Sequence, residues 1–83
     1  MKADKYERIT NLNLACFLYA LDCPIAGVNP IDRNQKEFAF VKTDRLEELV
    51  WTYKFGEKDD ENLLVNVHKL EYARRYLLDR INE

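Results

Sequence analysis

No serine occurs in this chain of 83 residues, and histidine occurs once, at His68. A serine nucleophile is therefore excluded. The lone histidine, read beside the first turn of a helix among acidic and basic neighbours, is a surface or capping residue before it is a general base. Cysteine is confined to Cys16 and Cys23. That pair gives no zinc-ligand spacing, and a helix reaching both would hold them about 10 Å apart, too far for a bridge. They read as reduced thiols in partly buried positions. With only Gly27 and Gly56, the chain has no glycine-rich phosphate cradle and no dinucleotide fingerprint. The acidic stretch Glu57, Asp59, Asp60 and Glu61 lacks the alternation of a calcium-binding loop and reads as solvated charge. No catalytic, cofactor-binding or metal-ligating set is expected, and the chain reads as a non-enzyme with no cofactor.

Long apolar runs are missing as well. The longest, 14–21, is stopped by Asp22 and Pro24, well short of the roughly 20 residues that span a bilayer. Met1-Lys2-Ala3-Asp4-Lys5 is polar and mixed in charge and opens no signal-peptide pattern, so no membrane role and a cytoplasmic location are expected. Positive charge is not in excess: 13 Lys and Arg face 15 Asp and Glu, for a net charge of −2. A dominant phosphate-binding role is not expected on that balance, because nonspecific nucleic-acid affinity comes largely from cations neutralising phosphates.

What is present is a folding sequence. Apolar residues make up 47% and aromatics 12%, more than a disordered chain carries. One domain of this length buries only about 60% of the surface its unfolded form exposes, so its core is thin and self-association is expected to supplement it.

The clearest local pattern is a β-hairpin passing into a helix. Residues 25–31 and 38–41 are short apolar runs, and Asp32, Arg33, Asn34 and Gln35 between them carry turn chemistry. Phe38 and Phe40 share one face of the second strand, and Pro30 must sit at an edge or beside the turn. From Asp44 the period changes to that of a helix over 45–55: Leu46, Leu49, Val50 and Tyr53 share one face, Asp44 and Glu47 form a capping-box pair, and Gly56 is the expected left-handed C-cap. An earlier helix, capped by Thr10 or Asn11 and running to about Asp22, is apolar nearly all round, which makes it either central or available to a partner. A last helix starts at Asn66 as N-cap and reaches Ile81, with Val67, Leu70, Ala73, Leu77, Leu78 and Ile81 as its apolar arc. Residues 1–9 are polar and read as a mobile leader, leaving 10–83 as a single domain. The expected fold is α+β in the order α-β-β-α-α, a hairpin packed against three helices. Two strands alone are marginal, so a third is expected from 63–67 or from a second copy.

Two residues depart from these patterns. Trp51 lies roughly 150° from the apolar face of its helix. It either packs under the charged loop or the last helix, or it anchors an interface, where tryptophan is enriched. Tyr19, Phe38 and Phe40 join it as candidate interface residues. Arg74 falls inside the apolar arc of the last helix, where a charge needs a partner carboxylate or an edge location. Lys69, Arg75 and Arg80 add positive charge to that helix, but Glu71 and Asp79 interrupt it. Together with the hairpin aromatics they keep a nucleic-acid accessory role as the alternative.

A resemblance is carried by five segments: Thr10-Asn11-Leu12-Asn13-Leu14-Ala15, Glu37-Phe38-Ala39-Phe40-Val41, Leu46-Glu47-Glu48-Leu49-Val50-Trp51-Thr52-Tyr53, Val65-Asn66-Val67, and Tyr72-Ala73-Arg74-Arg75-Tyr76-Leu77-Leu78. From Thr10 onward the chain resembles a family of small uncharacterised proteins of bacteria and their phages or mobile elements, known only as a domain of unknown function. The resemblance implies the same element order and a phage or prophage setting in a bacterial host. It transfers no catalytic or ligand-binding residue. The residues themselves point to a non-enzymatic, self-associating interaction or regulatory module, and the resemblance implies inhibition of a host protein, such as a component of a defence system, as a concrete version of that role.

Overall fold

A computed structural model describes residues 5–33, 35–57 and 60–82. Asn34 of the expected turn, Asp59 of the acidic stretch and the first four residues of the expected leader lie outside them. The elements in order are β1 (Tyr6–Ile9), α1 (Leu12–Ala20), β2 (Ile25–Pro30), β3 (Lys36–Val41), α2 (Asp44–Phe55), a 3-10 turn (Glu61–Leu63) and α3 (Val67–Ile81). The fold is α+β, with one strand more than the sequence pattern predicts.

That strand is made from the expected leader. β1 pairs antiparallel with β3, Tyr6 opposite Val41 and Ile9 opposite Phe38, and the Lys42 amide donates to the Lys5 carbonyl at 2.9 Å. β2 pairs with the other side of β3, giving the order β1-β3-β2. The hairpin therefore gains its third strand from the N-terminal segment rather than from 63–67, which ends the 3-10 turn and leads into α3. The driving residue is Ile9, buried against the helices while Tyr6 and Arg8 stay exposed. A central strand bearing two fully buried phenylalanines needs a neighbour on both sides to satisfy its backbone.

Residues opposite one another in an antiparallel ladder point to the same face. Ile9, Phe38 and Val28 form one such row, and Phe40 and Ile25 another. This face carries the helices. The opposite face presents Tyr6, Arg8, Glu37, Ala39 and Val41, with Arg8 Nε 3.4 Å from Glu37 Oε1. The register shifts between Ile25 and Gly27, so Ala26 is the extra residue of a bulge. Pro30 closes β2 on an edge, where its missing donor costs no ladder bond.

α1 is central. It packs against α3 on one side, α2 on the other and β1 beneath, and Leu14, Ala15, Cys16, Phe17, Leu18 and Ala20 are all buried. Its all-round apolarity is used up inside the fold, which removes it as the surface for self-association. A thinnest dimension of 19 Å fits one helix layer on one sheet. Asn11 caps α1, its Oδ1 accepting from the Leu14 amide at 3.1 Å. At the other end Asp22 adopts φ 66°, with Cys23 N–H donating to Leu18 O at 3.1 Å and Asp22 N–H to Tyr19 O at 3.0 Å. This is a Schellman ending with aspartate in the position that usually holds glycine.

The caps of α2 differ from the sequence reading. Thr43, not Asp44, is the N-cap, its Oγ1 accepting from Leu46 N–H at 3.0 Å. Leu46, whose amide this cap satisfies, is fully buried, as the apolar face predicts. Glu47, expected to close a capping box, instead lies 3.8 Å from Lys42 Nζ. Gly56 has φ −73°, so it is not left-handed. Glycine is needed there for close approach: a Cβ would sit 2.5 Å from the Thr52 carbonyl oxygen, which accepts the Gly56 amide at 2.7 Å. α3 begins at Asn66 as the sequence predicts, Oδ1 accepting from His68 and Lys69 amides at 2.9 and 3.2 Å. Ala73 and Leu77 are its buried centre, while Val67 is largely exposed and lies outside the arc.

Candidate functional site

The residue types that could do chemistry are scattered. His68 is exposed in the first turn of α3. Among the described residues, no three His, Cys, Asp or Glu side chains converge as metal ligands. Cys16 and Cys23 are unbridged and fully buried rather than partly so. Burial pushes both thiols up from their ordinary value, more strongly than Arg74 lowers the first or Arg45 the second. A thiol held in its neutral form is a poor nucleophile.

The candidate interface residues part company. Phe38 and Phe40 are 1% and 0% exposed and form the sheet's contribution to the core, so they are not interface residues. The reason is the third strand and the helix layer: Phe38 sits opposite both Ile9 and Val28, with α1 packed above. Arg74 is exposed, at the rim of the α3 arc, with Nη1 3.5 Å from Asn13 Oδ1. It is not a partly buried charge; the edge location settles its solvation.

Trp51 is 62% exposed and does not pack under the charged loop or the last helix. One turn on, Phe55 is 68% exposed, and the two rings lie 5.7 Å apart at 53°. The pair borders a notch lined by Glu7 of β1 and by Glu47, Val50 and Lys54 of α2. Phe55 is absent from the sequence-derived candidates, although its i+4 spacing from Trp51 was the available signal. Comparison with protein-family models, curated proteins and solved structures found no match for this chain.

Tyr19 is half-buried on the other side of the molecule. Its ring stacks on Tyr76 of α3, centroids 4.8 Å apart and planes within 3°. Arg80 lies over the far part of this stack, its guanidinium carbon 5.7 Å from the Tyr76 centroid. Burial, and then neighbouring Tyr76 and Tyr72, hold the Tyr19 phenol above its ordinary value. Tyr19 also lines a groove of about 530 Å³ with Ala20, Asp22, Cys23 and Pro24 on one side and His68, Lys69 and Tyr72 on the other. The structure therefore places Trp51 and Tyr19 on two separate surfaces.

Proposed function

We propose that this protein is a non-enzymatic interaction module that uses the Trp51–Phe55 pair of α2 as its anchor, both for self-association and for capture of a partner protein. The observation that carries the reading is the exposure of two large aromatic rings on one helix face, next to each other and ringed by Glu7, Glu47 and Lys54. Aromatic anchors inside a charged rim are the usual anatomy of a protein interface. The resemblance to phage and mobile-element proteins makes inhibition of a bacterial host protein the concrete form of this role.

Sedimentation across a concentration series, with the intact chain and with Trp51→Ala, tests it. The expected result is a concentration-dependent oligomer that the substitution weakens by at least about tenfold, as removal of a hot-spot residue does. A monomer at all concentrations, together with unchanged host-protein capture by the variant, would overturn it. The nucleic-acid reading keeps Lys69, Arg75 and Arg80 of α3 but loses the hairpin aromatics, since Phe38 and Phe40 are buried, and would have to stack bases on Tyr72 and Tyr76 instead. It predicts submicromolar oligonucleotide binding that falls steeply with salt.

A further inference from the structure

We propose that the groove between the outer edge of β2 and α3 takes a short, extended, acidic segment of a partner protein, added to the sheet as a fourth strand. Both walls of the groove point to that occupant. β2 is an edge strand, and Ile25–Pro30 carries no charged side chain. Ala26 and Asn29 are exposed, and a Cβ built on Gly27 would meet nothing within 4 Å. An open, uncharged strand edge presents backbone donors and acceptors that an extended segment can complete.

The facing wall is one stripe of α3. His68, Lys69 and Tyr72 stand across from Ala20, Cys23 and Pro24, and Tyr76 and Arg80 stand across from residues 25–28. Along the helix axis Lys69 and Arg80 are about 16 Å apart, and a six-residue strand spans about 20 Å. The groove thus runs from the 20–24 turn beside Lys69 on to β2 beside Tyr76 and Arg80, a length that fits a segment of five or six residues. Tyr72 and the Tyr19–Tyr76 stack offer apolar faces to its alternate side chains.

Charge selects an acidic segment. Lys69 and Arg80 mark the two ends, and Lys36, paired with Pro30, adds a third cation where its Nζ donates to Ile81 O at 2.5 Å. Among the described lining residues the one carboxylate is Asp22, itself 3.6 Å from Lys69. The bulge at Ala26 and the missing donor at Pro30 break the regularity that another sheet's edge would need, whereas a flexible segment can follow it. A second copy is therefore the poorer fit. Single-stranded nucleic acid could use the tyrosines and cations but leaves the strand edge idle, which ranks it below a peptide. The groove shares no residue with the Trp51–Phe55 face, so either assignment can fail without the other.

Selection from a random peptide library against the full chain tests the proposal, followed by titration of the enriched peptides. The expected peptides are rich in Asp and Glu, bind more weakly as salt is added, and shift the amide resonances of residues 25–29. Lys69→Glu with Arg80→Glu, two exposed positions that leave the thermal transition in place, should weaken them about tenfold. Replacing the peptide's acidic residues with lysine should restore binding to that variant. Four results overturn the proposal: no enrichment, enriched peptides without acidic excess, shifts centred on Trp51 and Phe55, or displacement of the peptides by oligothymidylate.

Discussion

Trp51→Ala separates a recognition role from a packing role, provided its cost is compared with that of a core aromatic. Removing a fully buried Phe or Trp costs about 3–5 kcal/mol. Trp51 is 62% exposed, so a little over a third of its surface is at stake, together with its ring contact to Phe55. The expected loss is about 1–2 kcal/mol, and in a domain of this size each kcal/mol lowers Tm by about 4–8 °C. Phe40→Ala is the control, because Phe40 is fully buried on the central strand. A loss of about 3–5 kcal/mol there approaches the whole stability of roughly 4–12 kcal/mol expected for such a chain. The assay pairs thermal melts by circular dichroism with sedimentation at matched concentrations. Trp51→Ala should keep a cooperative transition while losing association, and Phe40→Ala should lose the transition or most of it. If Trp51→Ala melts as low as Phe40→Ala, the tryptophan is a packing residue and the interface assignment fails. A variant that is both stable and unchanged in association refutes it equally.

Asp22→Gly should raise stability by about 0.5–1 kcal/mol, because glycine occupies the left-handed position at lower cost and the lost ion pair to Lys69 is an exposed one; Asp22→Val should lower it, and a melt that moves the other way in either case refutes the backbone argument. Ile9→Asp places a carboxylate in the core beside Phe38 and should abolish cooperative unfolding at ambient temperature, whereas an unchanged melt would show that β1 adds nothing to the fold. Stability should also fall in alkali. Cys16, Cys23 and Tyr19 have their folded-state values raised above 9.0, 9.0 and 10.0, so the unfolded chain loses these protons first; the contribution is intact below about pH 9 and is lost as pH rises past that value, and a flat Tm up to pH 10.5 would argue against burial as the cause.

The helices were legible because a period near 3.6 leaves a strong trace: Leu46 and Leu49 on α2, and Ala73 and Leu77 on α3, face inward as their spacing predicts. The same geometry put Trp51 off the face, and it is exposed. β1 was not legible, since a strand of four residues with one buried side chain gives the alternation rule almost nothing to count. Phe38 and Phe40 were misplaced for a related reason. Apolar residues on both faces of β3 do not say which face is covered, and the covering elements, β1 and the helix layer, come from distant sequence. The one-residue error at the α2 cap has a local cause: Thr43 and Asp44 are both capping residues, and what distinguishes them is the bond from the Leu46 amide to Thr43 Oγ1, which spacing does not show. Arg74 sits at the rim of an arc whose centre is Ala73 and Leu77, a difference of angle that spacing alone resolves poorly.

The two sheet edges show why assembly by sheet continuation is disfavoured even though both are open. Joining two copies edge to edge with antiparallel strands and helices on the same side requires a two-fold axis normal to the sheet, and that axis pairs only residues on the same face. For β1 the central pair is then Glu7 against Glu7 or Arg8 against Arg8, a like-charge pairing that destabilises a ladder. β2 lacks such charges, but Ala26 interrupts its register and Pro30 removes a donor. Charge guards one edge and irregularity guards the other. A charged edge repels a strand of any origin that brings the same sign opposite, whereas an irregular edge rejects only a partner too rigid to follow it. The consequence is a division of labour in the proposed functions: association between copies is left to the aromatic face of α2, and a flexible acidic segment is left to the edge of β2, where α3 supplies the second wall.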